Sequence, residues 1–317
     1  MAWLLGVDEA GYGPNLGPFV MTSVACRLPD AQAGADLWQL LSTAVRKEDG
    51  SADARLPVDD SKLVYSPARG LATLERSVHA ILDLGPLPLG SVLARLCPDC
   101  LKELSEEVWY LGEIELPCEN IADQLAEPAG RFALTCREAG ELAWRARSVV
   151  VCPQRFNTVA EAADSKGAVL ADGLGRLLRW NLEHLPGDDG LTAFVDKHGG
   201  RNTYAAQLQH GLPGSVVLAR WESMARSVYE VRGLPRCLTL TFEPRAEAEH
   251  FCVALASMIS KYLREVLMRE FNRFWSEQVP GLKPTAGYPG DSVRFLTAIR
   301  AALGRLRLSE EAVWRRR

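Results

Sequence analysis

The stretch Gly6-Val7-Asp8-Glu9-Ala10-Gly11-Tyr12-Gly13-Pro14-Asn15-Leu16-Gly17-Pro18 constrains this chain more than any other. An apolar run, Trp3–Val7, leads straight into two adjacent carboxylates, and glycine then fills three of the seven positions after Ala10. A second apolar run, Phe19–Cys26, follows at once. The pattern predicts strand, acidic corner, glycine turn, strand. Neighbours within a strand point to opposite faces, so Asp8 and Glu9 converge only if the strand ends there. Glycine supplies such an ending and lets backbone N–H groups come close to a ligand. Two carboxylates beside exposed backbone donors suit a hard divalent cation held next to a phosphate. The same residues also suit a plain hairpin with acidic turn residues.

A second stretch repeats the logic. Leu191–Val195 is an apolar run ending in Asp196, followed by Lys197, His198, two glycines and Arg201. Further strands are predicted at 148–152, 215–221, 227–231 and 237–242. Helical spacing is found over 36–46, over 66–84 with Leu71, Leu74, Val78 and Ile81, and over 160–185. A long helix is predicted from Ala246 to Ser276, its buried side marked by Phe251, Leu255, Met258, Ile259, Tyr262, Val266 and Phe274. Glu247 falls in its first turn, where a carboxylate also complements the helix dipole. Asp60 or Ser61 caps a helix or lies beside the acidic corner. Asp291 caps a last helix over 292–303.

A length of 317 residues suits one large domain, or a core with an insertion. The character changes over 86–143, which carries Cys97-Pro98-Asp99-Cys100 and then the single cysteines Cys118 and Cys136. Cys97 and Cys100 have the spacing of a zinc half-site, but no second pair completes it, so buried reduced thiols are the expectation. With charge arriving at Asp8 and no apolar run of membrane-spanning length, the eight cysteines point to a reducing, cytoplasmic setting. A net charge of −4 argues against coating nucleic acid through bulk charge, but leaves local grip open.

Four separated segments together resemble the type 2 ribonucleases H (ribonuclease HII). Gly6–Pro18 is similar to that family's G-x-D-E-A-G-R-G-P opening, and Asp60-Ser61-Lys62 to its D-S-K segment. Phe194-Val195-Asp196 is similar to the strand bearing its third acid, and 246–265 to its A-D-A … A-A-S-I-L-A-K-V-x-R-D helix, with Glu247 at the fourth acid. Gly287-Tyr288 matches a G-Y loop that packs against nucleic acid. The resemblance implies an α/β fold, a ribonuclease H-like mixed sheet flanked by helices, built from 1–85 and 144–303. It leaves 86–143 as an inserted subdomain, whose protein partner is unknown, and 304–317 as a C-terminal tail of solvated basic residues. Tyr12 stands where the family has Arg, Glu247 where it has Asp, and Lys197, His198 and Arg201 crowd the third acid.

The resemblance implies hydrolysis of the RNA strand of RNA–DNA hybrids, or cleavage at ribonucleotides embedded in duplex DNA. Two metal ions can activate water, relieve charge and assist the departing 3′-oxygen. Asp8, Glu9, Asp196 and Glu247 are the expected catalytic and metal ligands, and all-oxygen ligation selects Mg²⁺ or Mn²⁺. Gly11, Tyr12 and Gly13 are expected to meet the substrate. Lys62, Lys197, Arg201, Lys261 and Arg264 are candidates for phosphate contacts, and Tyr288 for stacking. His198 is a candidate proton carrier, although a lone loop histidine is more often structural. The competing readings are a nuclease for structured DNA or RNA and a non-catalytic nucleic-acid binder.

Overall fold

The computed structural model describes every residue except Ala52, Ala122 and Arg317. Its centre is a seven-stranded mixed sheet. In chain order the strands are β1 (Ala2–Ala10), β2 (Phe19–Leu28), β3 (Ala143–Val151), β4 (Leu191–Asp196), β5 (Val216–Glu222), β6 (Ser227–Arg232) and β7 (Leu238–Glu243). They lie side by side as β3-β2-β1-β4-β7-β6-β5. The three central strands, β1, β4 and β7, run parallel, and antiparallel strands flank them on both sides. A parallel neighbour needs a crossover of a dozen residues or more, and here helices supply it.

β1 does not stop before its acids. Its parallel pairing with β4 ends at Val7↔Val195, but its antiparallel pairing with β2 continues through Asp8↔Thr22, Glu9↔Met21 and Ala10↔Val20. The glycine turn therefore starts after the acids rather than at them.

Six helices matter for the site. They are α1 (Ser61–Val64), α2 (Ala72–Leu82), α3 (Pro153–Ala162), α4 (Gly167–His184), α5 (Ala205–Gly211) and α6 (Ala246–Glu249). Two more follow, α7 (Phe251–Gln278) and α8 (Pro289–Leu306). Three of the expected helices are shorter or broken. The 36–46 prediction shrinks to Leu37–Leu40, because Val45–Arg46 instead pairs with Leu56–Pro57. The 160–185 prediction splits into α3 and α4 around Asp164, which adopts a left-handed φ of 45°. The helix predicted from Ala246 breaks at extended His250, whose ring stacks on Phe194 at 3.7 Å and bonds to Glu243. Asp291 lies inside the first turn of α8, paired with Arg294, and Tyr288 takes the capping position.

α7 is buried along most of its length, against the sheet on one side and residues 86–143 on the other. At its start it comes close enough to β1 that a Cβ on Gly6 would fall 2.1 Å from the Cys252 carbonyl carbon. Only glycine permits this approach.

Residues 86–143 are fastened to the core by two buried glutamates. Glu75 on α2 accepts backbone N–H bonds from Cys118 (2.6 Å), Glu119 (2.7 Å) and Asn120 (3.1 Å), together with the Tyr262 hydroxyl (3.1 Å). Glu270 on α7 accepts the N–H groups of Leu111 (3.1 Å) and Gly112 (3.2 Å). Both side chains are fully buried. Removing such an acceptor strands several buried donors at once, each costing roughly 1–3 kcal/mol. Glu75→Ala should therefore lose about 3 kcal/mol or more in urea denaturation, and a loss under about 0.5 kcal/mol would show that the network carries no weight.

The Cys97 and Cys100 thiols lie in the core, where Cys100 Sγ accepts the Val150 N–H at 3.2 Å. Cys136 accepts the Trp144 indole N–H at 3.2 Å, so it has its own neighbour apart from that pair. No helix among the described residues is long and apolar enough to cross a membrane.

Candidate metal and nucleic-acid site

The carboxyl ends of three neighbouring parallel strands deliver the acids. Asp8 and Glu9 end β1, Asp196 ends β4, and Glu247 follows β7 on the short helix α6. Crevices beyond the carboxyl ends of parallel strands are the usual ligand sites of α/β sheets. The order β1-β4-β7 places the three sources next to one another. The break at His250 positions Glu247: it separates α6 from α7, and the Ala246 N–H donates to Asp196 Oδ1 at 3.1 Å.

The acids raise one another's pKa. Burial pushes Asp8 well above the usual carboxylate range, and the charges of Glu9 and Asp196 add to it. Glu9 is raised to about 7 by burial first and by Asp196 next, with Lys62 opposing. Asp196 is raised by burial against three backbone N–H bonds. Glu247 is raised by burial and by Asp196 and Asp60, and its Oε2 is buried without a partner. Lys62 faces all this charge: burial would lower its pKa, but Asp60, Glu247, Asp8 and Asp196 together raise it. Buried acids that repel one another and leave an oxygen unpaired suit a divalent cation. Among the described residues, no three side chains of His, Cys, Asp or Glu converge closely enough to form a coordination sphere as they stand.

The glycine turn is held from below and behind. Gly11 has a φ of 87°, and a Cβ there would meet the Arg264 Nε at 2.4 Å. Gly287 accepts the N–H groups of Asn15 (2.8 Å) and Leu16 (3.2 Å), which clamps the 284–288 loop onto the turn. Tyr288, half exposed, lies next to Gly13. Tyr12 packs edge-on against Phe19.

The basic candidates divide sharply. Lys62 is 81% exposed and faces the acids. Arg201 is half-buried, with its guanidinium beside Gly167. The other three do not reach outward. Arg264 is buried beneath the turn and donates to the Ala286 carbonyl at 2.9 Å, so it supports the loop rather than a phosphate. Lys197 is spent on Asn202 (3.0 Å) and the Ser223 carbonyl (2.5 Å). Lys261 pairs with Glu265 at 2.6 Å and lies over the Tyr65 ring. His198 packs edge-on against Tyr204 and Phe242 at the α4/α5 interface, and burial holds its imidazole neutral with a pKa of about 4. That surrounding marks it as structural.

Several contributors escaped the sequence reading. Ser257 hydrogen-bonds to Asp8 and to Ser61, and Ser260 donates to the Asp8 carbonyl at 3.1 Å. Two serines one turn apart on an otherwise apolar helix face were the available signal. Asp60, by contrast, was an expected cap: it is the N-cap of α1 and accepts the Lys62 N–H at 3.0 Å. Arg315, expected in a solvated tail, is buried and donates to the Gly11 carbonyl at 2.5 Å. Arg317 of that tail lies outside the described residues.

No protein-family model and no curated protein matches the chain. Solved structures do. Ribonuclease H2 from Pyrococcus horikoshii OT3 is similar over 98% of this chain and 92% of its own, with 16% identity and a TM-score of 0.50. Ribonuclease HII from Archaeoglobus fulgidus, solved with PCNA, gives 18% identity and a TM-score of 0.45 over 99% of this chain and 94% of its own. Bst-RNase HIII in complex with Mn²⁺ gives 15% and 0.42, over 99% and 66%. The mixed sheet flanked by helices and the full-length likeness to the Pyrococcus structure show that this chain has a ribonuclease H-like fold.

Proposed function

We propose that this protein is a divalent-metal-dependent nuclease that hydrolyses the RNA strand of RNA–DNA hybrids, or cuts at ribonucleotides embedded in duplex DNA. One observation carries the reading. Three adjacent parallel strands lead into acids whose charges act on one another, Asp8, Glu9, Asp196 and Glu247, beside a buttressed glycine turn. Asp8, Glu9, Asp196 and Glu247 would hold Mg²⁺ or Mn²⁺, which supplies charge neutralisation and an activated water when bound.

The chain's own groups do the rest. Lys62 places positive charge over a substrate phosphate. The Gly11–Gly13 backbone approaches the ribose 2′-OH, the group that distinguishes RNA from DNA. Tyr288 offers its exposed ring to a sugar or base. Retention of all four acids opposes a pure binding role, because acids facing phosphate weaken binding unless a cation intervenes.

The test is a panel of labelled duplexes carrying one ribonucleotide, a continuous RNA strand, or DNA alone, incubated with Mg²⁺ or Mn²⁺. Cleavage of the ribonucleotide-containing duplexes alone supports the reading. Cleavage of structured DNA with none of those would move the substrate class, and no cleavage at all would sink the assignment. Metal binding has its own readout. At a concentration near a hundred times Kd, Mn²⁺ should stabilise the protein by about 2.7 kcal/mol. Glu247→Gln should reduce that gain, while in EDTA it should be at least as stable as the parent, having lost one repelling charge. An equal metal-induced gain in parent and variant would remove Glu247 from the site.

A further inference from the structure

Beyond the turn, a groove of about 760 Å³ runs between α3, α4 and α5. Its polar lining includes Arg155, Thr158, Ser165, Arg179, Arg201 and His210. The acid on its wall, Asp172, is answered by Arg176. Arg179 donates to the Gly211 carbonyl. The guanidinium groups of Arg155 and Arg201 have no hydrogen bond or ion pair among the described residues, so two fixed positive charges face the groove unspent.

Tyr12 joins this groove to the acid site. Burial raises the pKa of its hydroxyl, the charge of Glu9 adds to the rise, and the charge of Arg201 opposes it. The Lys166 Nζ lies 4.6 Å from the centre of the Tyr12 ring and 5.9 Å from that of Phe156 on α3. The Arg201 guanidinium lies beside Gly167, directly after Lys166, where a Cβ would stand 3.1 Å from it. Two cations from α4's start and the β4–α5 loop thus surround a turn whose own central residue is uncharged. Lys166 stands over Tyr12, and Arg201 and Arg155 line the groove itself.

We infer that this groove takes the sugar–phosphate backbone of a nucleic-acid strand continuing away from the acid site, with Lys166, Arg201 and Arg155 as successive phosphate contacts and Tyr12 as the platform at its mouth. The inference rests on the nuclease reading and names where that substrate continues. Separate cations distributed along one groove suit a polyanion better than a single small anion, which needs its donors converging on one point.

The test is salt-dependent binding of a labelled duplex containing one ribonucleotide, followed by fluorescence anisotropy between 50 and 200 mM KCl in an Asp8→Asn background that leaves the strand intact. Each phosphate contact removed lowers the slope of log K against log salt by about 0.9. Arg155→Ala and Lys166→Ala should each lose about that much, and together roughly tenfold in affinity. Arg155→Lys should keep the slope, and so should Arg137→Ala, which removes an exposed charge outside the groove. An unchanged slope in the alanine pair, with the parent still binding and cutting, overturns the groove and leaves the nuclease reading standing. Competition by inorganic phosphate at low millimolar concentration would replace the strand with a small-anion site. A parent that neither binds nor cuts any duplex overturns both.

Discussion

Asp8→Asn and Asp196→Asn should each slow cleavage of a ribonucleotide-containing duplex by at least about a thousandfold, measured in single turnover at saturating Mn²⁺. Asp8 and Asp196 end two hydrogen-bonded parallel strands; after burial, the charge of Asp196 raises the pKa of Glu9, and Asp8 is hydrogen-bonded to Glu9. An asparagine keeps the shape but removes the charge that a divalent ion requires. Glu9 and Glu247 cannot compensate, because Glu9 is the neighbouring strand residue and Glu247 approaches from α6, each with its own geometry. Groups acting as one unit are non-additive, so Asp8→Asn/Asp196→Asn should be little worse than either single variant. Losses that multiply would show that the two acids act separately.

Gly6→Ala should be the most damaging single methyl in the chain. The new Cβ would lie 2.1 Å from the Cys252 carbonyl carbon and 2.2 Å from the Val253 nitrogen. Both are backbone atoms, so no side-chain rotation relieves the clash, and β1 and α7 must separate. Overpacking of this kind costs about 3 kcal/mol, the upper part of its usual range. The effect reaches function because α6, which carries Glu247, leads directly into α7. Moving the start of α7 draws Glu247 away from Asp8. The variant should lose stability in urea and also lose part of its Mn²⁺-induced stabilisation while still folded. A Gly6→Ala protein within about 1 kcal/mol of the parent would mean that the close approach of helix and strand is not needed.

The sequence made the acids legible because chemistry and position coincided there. Asp8-Glu9 and Asp196 each end an apolar run, and runs of that kind form central strands whatever surrounds them. The runs predicted individual strands, and the mixed sheet flanked by helices was what the family resemblance implied. Helix lengths were less legible. His250 continues a helical pattern in sequence, yet its ring stacks on Phe194 from a different strand, and that contact opens the break positioning Glu247.

The basic residues were the hardest to read, since a cation's role depends on which oxygens reach it in three dimensions. Lys261 and Arg264 lie one turn apart on a helix, but one is neutralised by Glu265 and the other buried under Gly11. Lys166 drew no attention in sequence, and only folding brings it over Tyr12. Arg315 looked like a solvated tail until its guanidinium was found supporting the turn. Glu75 sits in an amphipathic helix where a carboxylate reads as surface, but the 118–120 backbone folds over it.

The central claim is that these acids direct metal-dependent hydrolysis with the 3′-oxygen as leaving group. The most direct measurement is the chemical identity of the ends left on a duplex containing one ribonucleotide, compared between the parent and Asp8→Asn. The account predicts a 5′-phosphate and a 3′-hydroxyl, formed only with Mg²⁺ or Mn²⁺ and absent with Asp8→Asn. A 2′,3′-cyclic phosphate, or the same ends formed at the same rate without Asp8, would contradict it.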